Sequence, residues 1–267
     1  MSYSRRTALG AASALLATAT APQLGIASTQ VQRRGRIVSQ PGQLLLKPLI
    51  HHDEDGRSPH DAVVWLASPD TAWYVIDTMD HMIYRATNHK YKTRGYRLKF
   101  VSVFETREGK RFAGCWQFAA GPDWHTAHNM SRPKFEQQRD DYAKRGYRMT
   151  YVDARANYSA IWEQGDATSQ QIFSTLTTDE YERKLSELGA DGYRLLSLSA
   201  YAEGSSTHYA AIFEKSAGPA WQAHHHMTAS QFRSQQTTLT KRGWRLTEAN
   251  GHMVNGKPLF AGIWQQV

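Results

Sequence analysis

Tryptophan and histidine recur as a pair at two places in the sequence, Trp124 with His128 and Trp221 with His225. Residues four apart on a strand lie on the same face, so each pair would present a ring and an imidazole in one direction. Rings supply contact area and imidazoles fix the register of an extended ligand. The alternative is structural, with the rings filling the core between units and each imidazole bonding the backbone. The sequence leaves both interpretations open.

Arginine follows a glycine and an aromatic residue four times, at Arg97, Arg148, Arg194 and Arg245. A planar guanidinium clamps carboxylates or phosphates and stacks on rings, which makes these arginines ligand-binding candidates. Because the arginine recurs in every copy of the motif, it is also suited to a shared structural role that bridges neighbouring units.

One motif resembles a catalytic one. Ser131 and Lys134 match the Ser-x-x-Lys acylation motif of β-lactamase-like enzymes. However, Ser131 occupies the position that Asp80, Thr177 and Thr228 hold in the other copies, and such residues are typical helix N-caps. The chain also lacks the Lys-Thr-Gly and Ser-Asp-Asn partners. We therefore predict that Ser131 caps a helix and that the repeats contain no catalytic residue.

The twelve histidines do not form a convincing metal motif. Neighbouring side chains on a strand point to opposite faces, so only His224 and His226 of the run at 224–226 could share a ligand. Residues 51–55 are interpreted as a solvated loop. The one cysteine, Cys115, excludes cysteine-based zinc and iron–sulfur sites and holds a core position that isoleucine fills elsewhere. We predict neither a metal nor a cofactor.

These residues lie in fixed register within a repeat. Its motif, Gly-aromatic-Arg-aliphatic, begins at Gly95, Gly146, Gly192 and Gly243, so the glycines are 51, 46 and 51 residues apart. An N-cap residue, a helical apolar face and a terminating glycine precede each arginine, and two strand-like segments follow. The sequence therefore predicts an α+β tandem repeat of strand-helix-strand-strand units. We expect a curved, half-barrel-like antiparallel sheet with one helix per unit on one face.

The repeat divides the chain into segments. We predict four units at about 70–119, 120–166, 167–216 and 217–267, preceded at 29–69 by a partial repeat that serves as an N-terminal cap with a polar insertion. The second unit is shorter by five residues, which we assign to the hairpin between Val152 and Tyr158. A coarser period of 97 residues relates Trp124 to Trp221, so the units form two pairs.

Residues 1–28 are predicted to be a twin-arginine signal peptide. Arg5 and Arg6 precede an uncharged, Ala/Leu-rich run of about 14 residues, which is too short to span a bilayer. Such signals direct export, which predicts a periplasmic or extracellular protein. No other stretch is long and apolar enough to cross a membrane, so we expect no transmembrane segment after signal removal.

The repeat resembles the bacterial tandem repeat of about 50 residues that also builds the N-terminal, non-peptidase half of fungal polyglycine hydrolases. The residues that carry the resemblance are Trp124, His128, Met130, Phe135, 146–148, 160–162 and the equivalent positions of the fourth unit. In that family the catalytic part is a separate serine-hydrolase domain similar to β-lactamases. The resemblance therefore implies a fold and an exported setting, and no inherited activity.

Charge and composition limit the possible functions. The net charge of +8 falls to +6 without Arg5 and Arg6, and basic residues form no runs. Nucleic-acid binding is therefore not expected, whereas weak attraction to anionic envelope polymers is. We predict an exported, non-catalytic module that binds a peptide, a protein or a cell-envelope polymer. The alternative is a secreted, peptidase-like hydrolase that uses the repeated histidines with acids such as Asp77.

Overall fold

A computed structural model describes the backbone of residues 36–39, 44–45, 48–52, 59–63, 66–67, 73–106, 109–155 and 157–267. The predicted signal peptide and most of the polar insertion lie outside the described residues. The strand that contains Asp77 is described, but the side chain of Asp77 is not.

Short strands precede the repeats. They are β1 (Arg36–Ser39), β2 (Leu44–Leu45), β3 (Pro48–His52), β4 (Pro59–Val63) and β5 (Leu66–Ala67). Strand β3 pairs with β4, and β2 pairs with β5, each in antiparallel fashion. Strand β1 instead pairs with the first strand of the first unit, so the N-terminal segment is tied to the repeats by backbone hydrogen bonds.

Four units of strand, helix, strand and strand follow. The first contains β6 (Trp73–Met79), α1 (His81–Lys92), β7 (Tyr96–Thr106) and β8 (Gly109–Phe118). The second contains β9 (Trp124–Met130), α2 (Arg132–Lys144), β10 (Tyr147–Asp153) and β11 (Tyr158–Gln164). The third contains β12 (Gln170–Thr177), α3 (Thr178–Ala190), β13 (Tyr193–Glu203) and β14 (Ser206–Lys215). The fourth contains β15 (Trp221–Met227), α4 (Ala229–Lys241), β16 (Trp244–Val254) and β17 (Lys257–Gln266). The predicted α+β repeat is confirmed.

The three strands of each unit pair in antiparallel fashion in a sheet of their own, which β1 extends to four strands in the first unit. The third strand of each unit lies between the first and second strands, and the second strand is always an edge. The four units are therefore not joined by backbone pairing into the one continuous curved sheet that we expected.

Side chains take the place of backbone pairing between units. The second strand of each unit is a sheet edge, and in the second and third units N–H groups at this edge are bonded by side-chain acceptors from the next unit. Ala154 N–H donates to Ser199 Oγ at 2.9 Å, and Ala200 N–H donates to Asn250 Oδ1 at 3.1 Å. Leu198 N–H likewise donates to a carboxylate oxygen of the fourth unit. Because polar side chains stand between the strands, the edges are satisfied without merging the sheets.

The helices begin at the predicted N-caps, with one difference. The side chain of Asp80 accepts from the N–H of Ile83 at 2.8 Å, and Thr177 and Thr228 each form a capping box with the residue three positions later. Ser131 lies at the N-cap of α2, but its hydroxyl makes no capping hydrogen bond. The predicted position of Ser131 is therefore confirmed, whereas the predicted capping hydrogen bond is wrong. A proline in the first turn of α2 already removes one N–H group that would need an acceptor.

The recurrent glycine ends each helix, as predicted. Gly95, Gly146, Gly192 and Gly243 all have φ between 78° and 84°, a left-handed conformation that glycine adopts without a steric penalty. The chain turns at this point into the second strand. We call the turn, together with the end of the third strand that lies beside it, the corner of a unit.

A pair of aromatic rings joins helix to sheet in each unit, stacked in the first three units and tilted in the fourth. The residue eleven positions before the glycine packs on the first aromatic of the third strand, with ring centroids 4.4 to 5.6 Å apart. The pairs are Tyr84–Phe112, Phe135–Tyr158, Tyr181–Tyr209 and Phe232–Phe260. Such pairs add to the free energy of burial. Cys115 is fully buried in the core of the first unit, as its position predicts.

The second unit is shortened where the sequence predicts. Its second and third strands have 7 residues each, against 11 and 10 in the first unit, and they end at Asp153 and resume at Tyr158. In the part of the chain that the structure describes, no helix has the length and the apolar composition needed to cross a bilayer.

Candidate functional site: the corners of the four units

Trp124 and His128 lie where the second unit packs on the first. Trp124 is 5% exposed and belongs to the core of the first unit. The His128 ring lies edge-on to Tyr84 and Phe112, with centroids 4.9 and 5.0 Å away. The pair therefore fills the junction between two units.

Trp221 and His225 occupy the equivalent junction between the third and fourth units. Trp221 is 8% exposed, and His225 lies edge-on to Tyr181 at 5.1 Å. Its Nε2 is 3.2 Å from Glu182 Oε1. The third unit carries glutamine where the second and fourth begin with tryptophan, so junctions of this type alternate along the chain.

Both histidines are shifted towards the neutral form. Burial, with smaller contributions from the nearby His81 and Arg85, lowers the pKa of His128 to about 4. Burial also lowers the pKa of His225, although the Glu182 carboxylate opposes that effect. Uncharged imidazoles surrounded by aromatic rings are suited to packing between units.

The repeated arginines reach from one unit to the next. Arg97 lies 2.9 Å from Glu163 Oε1 and donates to the Pro122 carbonyl. Arg148 donates to Glu214 Oε2 at 2.6 Å. These arginines are held by carboxylates and carbonyls of the neighbouring unit.

The last two arginines differ from the first two. Arg194 donates to the Pro219 carbonyl at the start of the fourth unit, whereas Arg245 is exposed and makes no ion pair with the described residues. A Cβ on Gly218 would lie 2.9 Å from the guanidinium carbon of Arg194, so only glycine leaves room for this contact. Gly121 makes the same room for the arginine of the first unit.

The aromatic residue of the Gly-aromatic-Arg motif is half-buried in all four units. Tyr96, Tyr147, Tyr193 and Trp244 each open the second strand of their unit, immediately after the corner glycine. The arginine linkages described above tie each of the first three corners to the next unit. We call these four aromatic residues the corner row.

The first corner is almost wholly aromatic. Tyr96 contacts Tyr91 and Phe118, with both pairs of ring centroids 5.3 Å apart. Phe118 is 51% exposed, which is unusual for so large an apolar side chain. An exposed ring beside a half-buried ring gives the first corner an apolar surface that faces solvent.

The second corner combines rings with charges. Tyr147 lies 5.1 Å from the His125 ring and 5.6 Å from the Arg145 guanidinium, and its hydroxyl donates to Asp123 Oδ2 at 3.0 Å. Burial alone would raise the pKa of Asp123. Hydrogen bonds from Tyr147 and from the backbone, together with the Lys92 ammonium, outweigh burial and lower the pKa to about 2. Asp123 therefore remains ionised and orients the Tyr147 ring.

Cations also accompany the later corners. Lys215, the last residue of β14, places its Nζ 5.6 Å from the Tyr193 ring centroid. Lys241 and Arg242 are exposed at the end of α4, next to the corner glycine of the fourth unit. Our sequence reasoning used the motif aromatics only to find the repeat. Their recurrence in a slot beside basic residues is the signal that could have marked them as a site.

A family model described as the polyglycine hydrolase-like structural repeat matches residues 70–119, 121–165, 171–216 and 218–267. The chain belongs to this family. The predicted resemblance is therefore confirmed, and the four matches cover the four units of the polyglycine hydrolase-like repeat one by one.

One other group of polar side chains, around His208, lacks the geometry of a catalytic triad. In the third polyglycine hydrolase-like repeat, His208 Nδ1 lies 3.1 Å from Thr175 Oγ1 and 3.8 Å from Glu203. A triad uses both imidazole nitrogens, one for each partner, whereas here one nitrogen faces both. Among the described residues, no group of three or more histidines, cysteines and acids could hold a metal ion.

Proposed function

We propose that this protein is an exported, non-catalytic repeat module that binds an extended cell-envelope polymer along the corner row. The observation that carries the proposal is the half-buried aromatic residue at the same slot of all four units. A polymer with a regular chemical repeat would meet the same type of surface at successive corners.

The exposure of the candidate residues favours the corner row over the Trp–His pairs as the contact surface. Trp124 and Trp221 are almost fully covered by the preceding unit. Tyr96 and Tyr147 keep part of their rings open to solvent. Rigid rings offer a large contact area at a low cost in side-chain entropy, so they are effective anchors in binding surfaces.

We propose further that the four sheets follow a curved, half-barrel-like path that places the corners along one rim. The linkages from Arg97, Arg148 and Arg194 support this arrangement, because each ties one corner to the following unit. Small-angle X-ray scattering of the mature protein tests it. A profile of a straight rod would contradict the curved path.

The export part of the proposal depends on Arg5 and Arg6. Replacing both by lysine removes the feature that the twin-arginine route recognises, and we expect the protein to remain in the cytoplasm. Fractionation of cells that express the wild-type and double-variant chains measures this. Unchanged release of the double variant would contradict the assignment.

Binding is tested with peptidoglycan and with acidic and neutral polysaccharides. We expect Tyr147→Ala with Tyr193→Ala to lower affinity about tenfold, because each removes a partly exposed anchor. Phe173→Ala is the matched control, since Phe173 is a half-buried aromatic outside the corner row. Thermal melting of each variant separates lost affinity from lost folding. Equal weakening by the control, or full affinity of the double variant, would count against the corner row.

A further inference from the structure

We propose that the polymer bound by the corner row is an acidic polysaccharide, whose carboxylates pair with cations at the corners. This inference rests on the proposed function and adds the chemical class of the ligand.

Basic residues are concentrated immediately before the corner glycines. The three residues that precede the glycine contain one lysine and one arginine in the first, second and fourth units, and all six are exposed. They are Lys92, Arg94, Lys144, Arg145, Lys241 and Arg242. The third unit has Asp191 there, and its corner receives Lys215 from the end of the third strand instead.

Cations lie beside the corner rings in the second and third units. The Arg145 guanidinium carbon lies 5.6 Å from the centroid of the Tyr147 ring. Lys215 stands in the same relation to Tyr193. An acidic sugar carries an apolar ring face and a carboxylate on one residue, so it matches a ring with a cation beside it.

Helix electrostatics explains only part of this pattern. Cations at the last turn of a helix are favoured by the helix dipole, which accounts for residues such as Arg94. Lys215 belongs to a strand, yet it reaches the same corner and the same ring type. The position of Lys215 is therefore an independent indication that positively charged side chains are favoured at the corners.

Acids at the corners are few. Asp123, Asp166 and Asp191 are the exposed acids of the corners and of the linkers between described units. Asp123 is already held by Lys92 and by the Tyr147 hydroxyl, and Asp166 accepts hydrogen bonds from the N–H and the hydroxyl of Thr168. The surface therefore keeps a positive excess, which attracts a polyanion at low ionic strength.

The test uses polygalacturonate oligosaccharides and their methyl esters, which share a sugar backbone and differ in charge. Isothermal titration of the mature protein gives the affinity for each, at low and at high salt. A triple variant, Lys144→Gln, Lys215→Gln and Lys241→Gln, removes corner charge. The matched control, Lys134→Gln, Arg233→Gln and Lys257→Gln, removes the same charge from exposed positions away from the corners.

We expect the acid form to bind at least about tenfold more tightly than the ester, with the difference shrinking as salt screens the charges. The triple variant should bind the acid form about tenfold more weakly than wild type, and the control within about twofold. Equal affinity for acid and ester, or no binding of either, would overturn the acidic class. Polyglutamate binding as tightly as polygalacturonate would overturn the polysaccharide class. The variant with Tyr147→Ala and Tyr193→Ala tests the corner row separately, because it removes two rings and leaves the net charge unchanged.

Discussion

Arg97 Nη2 lies 2.9 Å from Glu163 Oε1, and this ion pair joins the second strand of the first unit to the third strand of the second. The side chains are 7% and 16% exposed. Arg148 and Glu214 repeat the relationship one unit later. In the first two units the motif arginine is therefore a linkage to the next unit, and in the Arg97–Glu163 pair both partners are largely removed from water.

Breaking this pair should be costly. We expect Arg97→Gln to lower the free energy of unfolding by about 3 kcal/mol, since loss of one partner strands a largely buried charge. Glu163 would keep the weaker interactions with Arg148, whose nearest nitrogen is 3.9 Å away, and with the Lys99 ammonium. Arg245→Gln is the control at the same slot, and its exposed side chain should change stability by about 0.5 kcal/mol or less. Urea unfolding measures both variants, and equal losses would contradict the linkage.

The side chains that satisfy the sheet edges give a second prediction. Ser199→Ala leaves the Ala154 N–H without its acceptor and removes one of the donors to Asp153, which keeps Arg155, so we expect a loss of about 1–3 kcal/mol. Ser159 is also buried, but its hydroxyl has no hydrogen-bond partner among the described residues. Ser159→Ala should therefore be neutral or stabilising. Chemical denaturation compares the two, and a reversed order would refute the role given to Ser199.

Helix capping gives a third prediction. Thr177→Ala removes a side chain that bonds the Glu180 N–H, and we expect a loss of about 1 kcal/mol. Ser131→Ala should cost less than about 0.5 kcal/mol, because the Ser131 hydroxyl makes no capping bond. Thermal unfolding of the two variants tests the difference. A larger loss for Ser131 would show that it caps α2 in solution.

Buried histidines should make the protein sensitive to acid. Burial lowers the pKa of His128 and of His252 to about 4, with smaller effects from nearby cationic groups. The unfolded chain, whose histidines titrate near 6.5, binds protons first as the pH falls. Stability should therefore be complete above about pH 6.5 and should decline towards pH 4, by up to about 1.4 kcal/mol per pH unit for each histidine.

The acid sensitivity is measured as melting temperature between pH 8 and pH 5. His128→Phe replaces the imidazole by a ring that fits between Tyr84 and Phe112 and takes up no proton. We expect this variant to show a shallower decline below pH 6.5. An identical pH profile for wild type and variant would contradict the assignment of the effect to His128.

Local features of the fold were predictable from the sequence because neighbouring residues determine them. The N-cap residue, the helical apolar face and Gly95 with its equivalents act within one unit, and they recur in fixed register. The shortened hairpin before Tyr158 follows from the same register. The separation of the units into individual sheets could not be predicted from the sequence. It depends on contacts between residues about 50 positions apart, such as the hydrogen bond from Ala200 to Asn250.

The candidate site was predicted less well than the fold. The recurrence of Trp124 with His128 drew attention to residues that the structure places at a junction between units. The sequence left the role of Arg97 open between ligand binding and a linkage between units. The structure favours the linkage, because Glu163 of the next unit lies beside Arg97. Exposure decides between a core ring and a contact ring, and exposure depends on how units pack. The half-buried state of Tyr147 could therefore not be deduced from its position in the motif.

The alternation of junctions limits how such an array can lengthen or shorten. The first strands of the second and fourth units carry a tryptophan and a histidine that pack on the first and third units. The first strand of the third unit begins with Gln170 instead. Duplication or deletion of one unit would bring together two unit surfaces whose side chains are not complementary. A change of two units, 97 residues in this chain, restores every face to its own type of partner. The heritable increment of this architecture is therefore the pair, and gene rearrangements that preserve folding should add or remove two units at a time.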